Sequence, residues 1–233
     1  MLHVLGVGYL TLTHNDNTPW ADSATDLPVL GGLSRFGVEV VREMNRIGMM
    51  VDLSHVSPDT MRAALGATQA PVIFSHSSAR GVTDVPRNVP DDVLETMRDG
   101  GGTCMVTFVP EFINGDVADW CEEATAAAAA AGVDAQDDVA SQAFLRRHSQ
   151  HRRGLPRHSD GTDTYPVGLE DVSGYPRLFV ALAKQGWSDD DLTKLAGGNT
   201  LRVMRDVEAV ARDLGTHRGP SLATIGQLDS PTA

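Results

Sequence analysis

The sequence predicts a parallel α/β fold, and three observations predict it. Short apolar runs alternate with helical patterns four times between residues 9 and 109, the connections between them are short, and the runs alternate only weakly in polarity. Strands that read this way are buried on both faces, as in a parallel sheet covered by helices.

Each element has its own signal. Tyr9-Leu10-Thr11-Leu12-Thr13 reads as the first strand. After a loop rich in Asp, Pro and Gly, Phe36, Val40, Val41, Met44 and Ile47 keep helical spacing, with Ser34 as N-cap and Gly48 as the stop. Met49 to Leu53 is the second strand, and Ser57-Pro58 opens a helix through Leu65 with Pro in its first turn. Val72-Ile73-Phe74 is the third strand, Pro90 to Met97 a helix, and Thr103 to Val109 the fourth strand. Further on, Tyr175 to Lys184, Asp189 to Leu195 and a run capped by Asn199 through Leu214 read as helices. Residues 216–233 read as a loose extension, and the three tryptophans, Trp20, Trp120 and Trp187, as packing residues.

Composition narrows the function. The chain has 233 residues, 41% apolar and 21% charged, which suits a globular domain with a sizeable core. Its formal charge of -12 repels phosphate backbones and anionic lipid alike, so neither nucleic acid nor a membrane surface is an expected partner. Cys104 and Cys121 are too few for a disulfide framework or a four-cysteine zinc site. No apolar stretch reaches the roughly 20 residues of a spanning helix, and the N-terminal residues lack the basic region and cleavage site of a signal peptide. The expected location is the cytoplasm.

Two parallel architectures fit this rhythm, an open doubly wound sheet and a closed eight-stranded barrel. Phosphate loops do not choose between them: no G-x-G-x-x-G follows a strand, and Gly100-Gly101-Gly102 precedes one, as a turn would. Histidines do follow the strands. His14 ends the first, and His55 and His76 each follow a strand by two residues, so three imidazoles sit on the C-terminal rim where barrel enzymes place their active sites. A lone histidine near a strand end is ordinarily a satisfied polar residue. Three in register raise a metal site to equal standing with that reading, because ligands must converge from separate strands to about 2.0 Å from one ion. Asp52, Ser54, Ser75, Ser77 and Ser78 stand beside them as outer contacts.

Several segments resemble the membrane (renal-type) dipeptidase family of zinc peptidases: Leu10 to Asp22, Val40 to Gly48, Val51-Asp52-Leu53-Ser54-His55-Val56-Ser57, Ala70 to Ala79, Arg87-Asn88-Val89-Pro90-Asp91-Asp92-Val93, Gly168 to Ser173 and Gly198 to Val203. The resemblance covers most of residues 1–114 and 160–212. It implies a (β/α)8 TIM barrel of the metallo-dependent hydrolase type, a binuclear zinc site and hydrolysis of the single peptide bond of dipeptides. Position by position, it implies that His55 and His76 are zinc ligands, that His14 is the catalytic histidine that contacts substrate, and that Arg87, with Asn88 beside it, binds the dipeptide's terminal carboxylate. A guanidinium fits that task because its donor fork matches a carboxylate bidentately.

The departures from the family pattern are equally specific. The resemblance starts just before the family's fourth strand, so the barrel is expected to be incomplete, without the first three strand-helix units and their His-x-Asp and bridging-glutamate ligands. His14-Asn15-Asp16 has the His-x-Asp form, but the Asn17-Thr18-Pro19-Trp20 after it marks the substrate-histidine segment, so Asp16 is not taken as a ligand. Between Asn114 and Asp160 the resemblance fails, and the eighth strand is expected to be disrupted. Alanines dominate 124–131, and Arg146, Arg147, Arg152, Arg153 and Arg157 crowd with His148, His151 and His158. Those histidines could replace missing ligands, but residues 115–159 read more simply as an irregular, disordered insert within a barrel domain of residues 1–214, followed by a tail from 215 to 233.

Two functions follow from this reading. One is a zinc dipeptidase acting on dipeptides through a metal-activated water. The other is a catalytically silent remnant or interaction module that keeps two zinc histidines. In either case a homo-oligomer would cover the open sheet edges of an incomplete barrel.

Overall fold

The computed structural model describes residues 3–134, 137–149, 165–166 and 168–230. Its centre is a four-stranded parallel sheet in sequential order: β1 (Tyr9–Thr11), β2 (Met50–Asp52), β3 (Ile73–Ser77) and β4 (Thr103–Val106). Three helices make the crossovers, α1 (Arg35–Ile47), α2 (Pro58–Ala67) and α3 (Asp91–Asp99). Apolar residues from all three, Val41, Met44, Met61, Ala64, Val93 and Met97, share one core with Val51, Leu53 and Phe74 of the sheet. The crossovers therefore lie on a single face. Sequential strand order with one-sided crossovers is an arc of a barrel, whereas a doubly wound sheet carries helices on both faces.

Local chemistry sets the boundaries. Ser34 accepts a hydrogen bond from the Gly37 amide at 3.1 Å to cap α1, and Gly48 closes the helix at φ 81°, a left-handed turn that glycine adopts without cost. Ser57 caps α2 in the same way through the Thr60 amide, with Pro58 in the first turn. Gly102 is needed where α3 returns to β4. A Cβ there would stand 2.6 Å from Met97 Cγ and 2.7 Å from the Val72 carbonyl oxygen.

Strand lengths differ from expectation in a telling place. β3 does not stop with its apolar run at Phe74 but continues through Ser77, so His76 lies inside the strand. Polar groups from the end of β2 support this continuation. Asp52 accepts from the Ser75 amide at 2.9 Å, and Ser54 Oγ accepts from the His76 amide at 3.0 Å. β1 and β4 end earlier than their apolar runs, and after β4 the short helix α4 (Pro110–Ile113) follows.

Residues 115–159, expected to be irregular, contain two helices, α5 (Gly115–Ala130) and α6 (Asp138–Ser149). Alanine is the strongest helix former, and Val117, Trp120, Ala124 and Ala128 line one buried stripe of α5 under an Asn114 cap. His151, His158 and the Asp160-Gly161 pair that marks the expected eighth strand lie outside the described residues, as does the His148 side chain.

The remaining helices are α7 (Tyr175–Lys184), α8 (Asp189–Thr193), α9 (Asn199–His217) and α10 (Ile225–Leu228). Val203 and Val207 of α9 pack on Met50, Ala70 and Ile73, across the N-terminal ends of the strands. Arg202 donates to the Gly101 carbonyl at 2.6 Å and anchors that helix. As far as residue 230, the C-terminal segment is not loose. Asp229 accepts from Ser34 Oγ at 2.7 Å and from the Phe36 amide at 3.2 Å, so its charge sits on the positive end of α1. Among the described residues no helix is long and apolar enough to cross a membrane.

Candidate active site

With α9 across the N-terminal strand ends, the opposite rim is left for polar residues, and there the imidazoles gather. His55 and His76 face each other with their Nε2 atoms 2.8 Å apart. The exposed His14 ring lies against His55, centroids 4.4 Å apart and tilted by 35°. His55 is buried and holds φ of +70°, the one positive φ at a non-glycine residue among the described residues. That left-handed turn swings its ring off the β2 axis toward β3, a conformation whose cost neighbouring contacts must offset.

The contacts come from the loop between β1 and α1. The His55 carbonyl accepts from the Ala24 amide at 2.7 Å and from Ser23 Oγ at 3.3 Å. Ser23 Oγ also reaches the His14 and Asn15 carbonyls at 2.8 and 2.9 Å, so one serine ties both histidine segments together. Asp22 anchors this serine. Its carboxylate, 1% exposed, accepts from the amides of Val29, Leu30, Gly31 and Gly32 at 2.8 to 3.3 Å. Its carbonyl accepts from Ser57 and Thr60 at the start of α2.

Burial shapes the charge states. Desolvation, then the nearby Arg87 charge and the two other imidazoles, pushes the His55 pKa down from 6.5 to about 4, and burial followed by Arg87 lowers that of His76 as well. Both rings are therefore neutral at pH 7, the form that can donate an electron pair to a metal.

Arg87 is the cation of this site. Its guanidinium is 8% exposed, lies 5.6 Å from the Phe112 ring and donates from Nη2 to the His76 carbonyl at 3.4 Å, while Nη1 is buried with no hydrogen-bond partner. Burial brings its pKa down to about 10, which leaves it charged at neutral pH. A buried, under-bonded guanidinium is poised for an anion.

Asn88 is fully buried beside Arg87. Its amide nitrogen donates to the Thr83 and Phe112 carbonyls at 2.8 and 2.9 Å and braces the loop that carries Arg87, while its Oδ1 is buried with no hydrogen-bond partner. Asp16 is exposed on the loop after His14. A cleft of about 330 Å³ opens beside His76, walled by Val106, Phe108, Tyr165, Leu169 and Tyr175.

The donor set fits a metal in part. Two nitrogens bound to one tetrahedral zinc at about 2.0 to 2.1 Å stand about 3.3 Å apart, so a shift of roughly half an ångström would open the His55–His76 pair around an ion. Among the described residues no group of three His, Cys, Asp or Glu side chains is arranged to hold a metal, so these two histidines are an incomplete ligand set.

The strand-end pattern singled out His14, His55 and His76, the family resemblance added Arg87, and the structure brings all four together. That pattern missed the Asp22-Ser23 anchor, for which the sequence holds no local signal: the groups it joins come from two separate loops.

Comparison with known proteins identifies the family. The family "Membrane dipeptidase (Peptidase family M19)" matches residues 1–218. Dipeptidase aclJ of Aspergillus oryzae is 46% identical over 217 residues, covering 92% of this chain and 48% of that protein. Human dipeptidase 3 is 41% identical over 224 residues, covering 91% and 42%. The chain thus spans about half the length of these relatives. Among solved structures, the probable dipeptidase PvdM from Pseudomonas aeruginosa superposes with a TM-score of 0.75 at 23% identity, covering 90% of this chain and 65% of that one. A metallo peptidase from Rhodobacter sphaeroides, liganded with a phosphinate mimic of the dipeptide L-Ala-D-Ala, gives 0.63 at 24% identity, covering 88% and 57%. These structures share the fold, and the sequence match shows the descent: the chain belongs to the membrane dipeptidase family, peptidase family M19, whose members are metallopeptidases of TIM-barrel fold.

Proposed function

We propose that this chain is built for zinc-dependent hydrolysis of dipeptides. The observation that carries the reading is the Arg87 guanidinium, buried with Nη1 unbonded, donating from Nη2 to the His76 carbonyl and close enough to lower the pKa of both His55 and His76. A dipeptide's scissile bond lies one residue from its terminal carboxylate, so anchoring that carboxylate on a fixed cation brings the bond to the imidazoles and disfavours longer chains. His55 and His76 would hold zinc through Nε2. Bound zinc supplies an activated water and polarises the carbonyl. His14, on the exposed side of His55, would donate a hydrogen bond to the oxyanion as it develops. The cleft beside His76 accommodates the side chains.

The test is hydrolysis of L-Ala-D-Ala by the chelator-treated chain with and without added zinc. Zinc-restored turnover that is lost in His55→Ala supports the proposal, and no turnover at any zinc level overturns it for the chain alone. A second reading, a catalytically silent family member, is favoured by one observation: the described residues complete no metal-ligand set. Elemental analysis separates the two, because two zinc ions per chain fit the enzyme and one or none fits the silent member.

A further inference from the structure

Behind His76 runs a chain of hydrogen bonds that decides which of its ring nitrogens carries the proton. Asp52, fully buried at the end of β2, accepts four hydrogen bonds. Oδ1 takes the amides of Ser54 at 3.1 Å and Ser75 at 2.9 Å, and Oδ2 takes the hydroxyls of Thr11 and Ser75, each at 2.6 Å. Ser75 Oγ also lies 2.7 Å from His76 Nδ1.

Proton counting settles the directions. A carboxylate only accepts, so the single Ser75 hydroxyl proton goes to Asp52. What Ser75 then offers the imidazole is a lone pair, and only a protonated Nδ1 can use it. A neutral imidazole with hydrogen on Nδ1 has a bare Nε2, and that atom faces His55. We infer that Asp52 and Ser75 act as a positioning relay that locks His76 in its Nδ1–H tautomer and presents the Nε2 lone pair toward His55. Thr11 takes part from β1, so three adjacent strands fix one proton.

His55 is the opposite case. Its Nδ1 is buried with no hydrogen-bond partner, and its Nε2–H supplies the proton for the 2.8 Å contact with His76. The pair is asymmetric: His76 is locked and His55 is adaptable. A divalent cation entering between them would need the His55 proton to leave Nε2 for solvent or for Nδ1, while His76 already presents the required atom. The inference depends on the zinc reading above only for the identity of the electron-pair acceptor.

Long-range proton–nitrogen-15 correlation spectra of the metal-free protein at neutral pH read the tautomer directly. In the wild type, His76 should show a protonated Nδ1 and a bare Nε2. Ser75→Ala should move it toward the other tautomer, Ser75→Thr should restore the wild-type pattern, and Asp52→Asn should act like Ser75→Ala if it folds. Zinc titration of the same proteins should show affinity about 10- to 100-fold weaker for Ser75→Ala, with Ser75→Thr close to wild type. A wild-type His76 carrying its proton on Nε2, or a Ser75→Ala pattern identical to wild type, would overturn the relay. A tautomer change with no zinc binding by any variant supports the relay and removes the zinc reading instead.

Discussion

His55 Nε2 stands 2.8 Å from His76 Nε2, and the two rings can share that contact only while at least one is unprotonated. Burial and the Arg87 charge keep both neutral, His55 down to about pH 4. An unfolded histidine takes up its proton near pH 6.5. Between those values the unfolded chain binds more protons than the folded one, so stability falls as pH drops through this window and levels off for this group below it. His55 contributes a slope of at most about 1.4 kcal/mol per pH unit, and His76 adds to it with the same sign. Urea midpoints of the chelator-treated protein, taken between about pH 7 and pH 5, should decline, and the decline should be shallower in His55→Gln. An equal slope in that variant would refute the assignment.

Removal of residues 219–233 tests whether the C-terminal segment stabilises α1. Asp229 bonds Ser34 Oγ and the Phe36 amide at that helix's positive end, and the Ser221 amide donates to Glu43 at 3.3 Å. Cap and dipole contacts of this kind are worth about 0.5 to 2 kcal/mol. The truncated protein, and Asp229→Ala in the 233-residue chain, should both unfold at lower urea concentration. A midpoint unchanged in both would mean the segment is only draped over the helix.

These cases show what a linear reading reaches. The boundaries of α1 were legible because Ser34, the apolar stripe and Gly48 are adjacent signals. The histidine rim was legible because strand ends and metal chemistry share one geometry. β3 was cut short because Ser75, His76 and Ser77 have no strand-like pattern, and the groups that hold them extended lie across the sheet on Asp52 and Ser54. α5 was hidden by low complexity, although Val117, Trp120, Ala124 and Ala128 carry helical spacing. Asp229 lies 195 residues from Ser34, a pairing without any local trace. Nor does any local pattern mark Asn88 as a brace, because the carbonyls its amide nitrogen holds, on Thr83 and Phe112, lie on either side of it in sequence.

Asp22 should be among the least replaceable residues outside the imidazole cluster. Its carboxylate holds four consecutive backbone amides, two of them at Gly31 and Gly32, whose φ values of 69° and 125° belong to glycine. Asp22→Asn puts an NH2 group against donors, so it should be nearly as damaging as Asp22→Ala, each costing roughly 1 to 3 kcal/mol. Amide exchange at residues 30–32 should accelerate. Because Ser23 follows directly and ties the His14 and His55 carbonyls, the His55 ring resonances should shift as well. Normal protection of Gly31 and Gly32 in Asp22→Ala would sink the account.

Arg87 offers the sharpest test of ligand chemistry, because its two proposed consequences are measured separately. With Nη1 unbonded and the guanidinium buried, a substrate carboxylate would complete its hydrogen bonding. Hydrogen bonds to charged groups contribute about 1.5 to 3 kcal/mol, so Arg87→Met should weaken binding of a free dipeptide about 10- to 100-fold in calorimetry with zinc present. Arg87→Lys keeps the charge and loses the fork, so it should fall between. The corresponding dipeptide amides have no carboxylate to lose, and their affinities should change little. The second consequence needs no ligand. Arg87 lowers the pKa of both His55 and His76, so its removal should raise both in an NMR titration of the metal-free protein. Equal losses for acid and amide would refute carboxylate recognition, and unmoved imidazole titrations would show that the guanidinium does not act on the histidine pair.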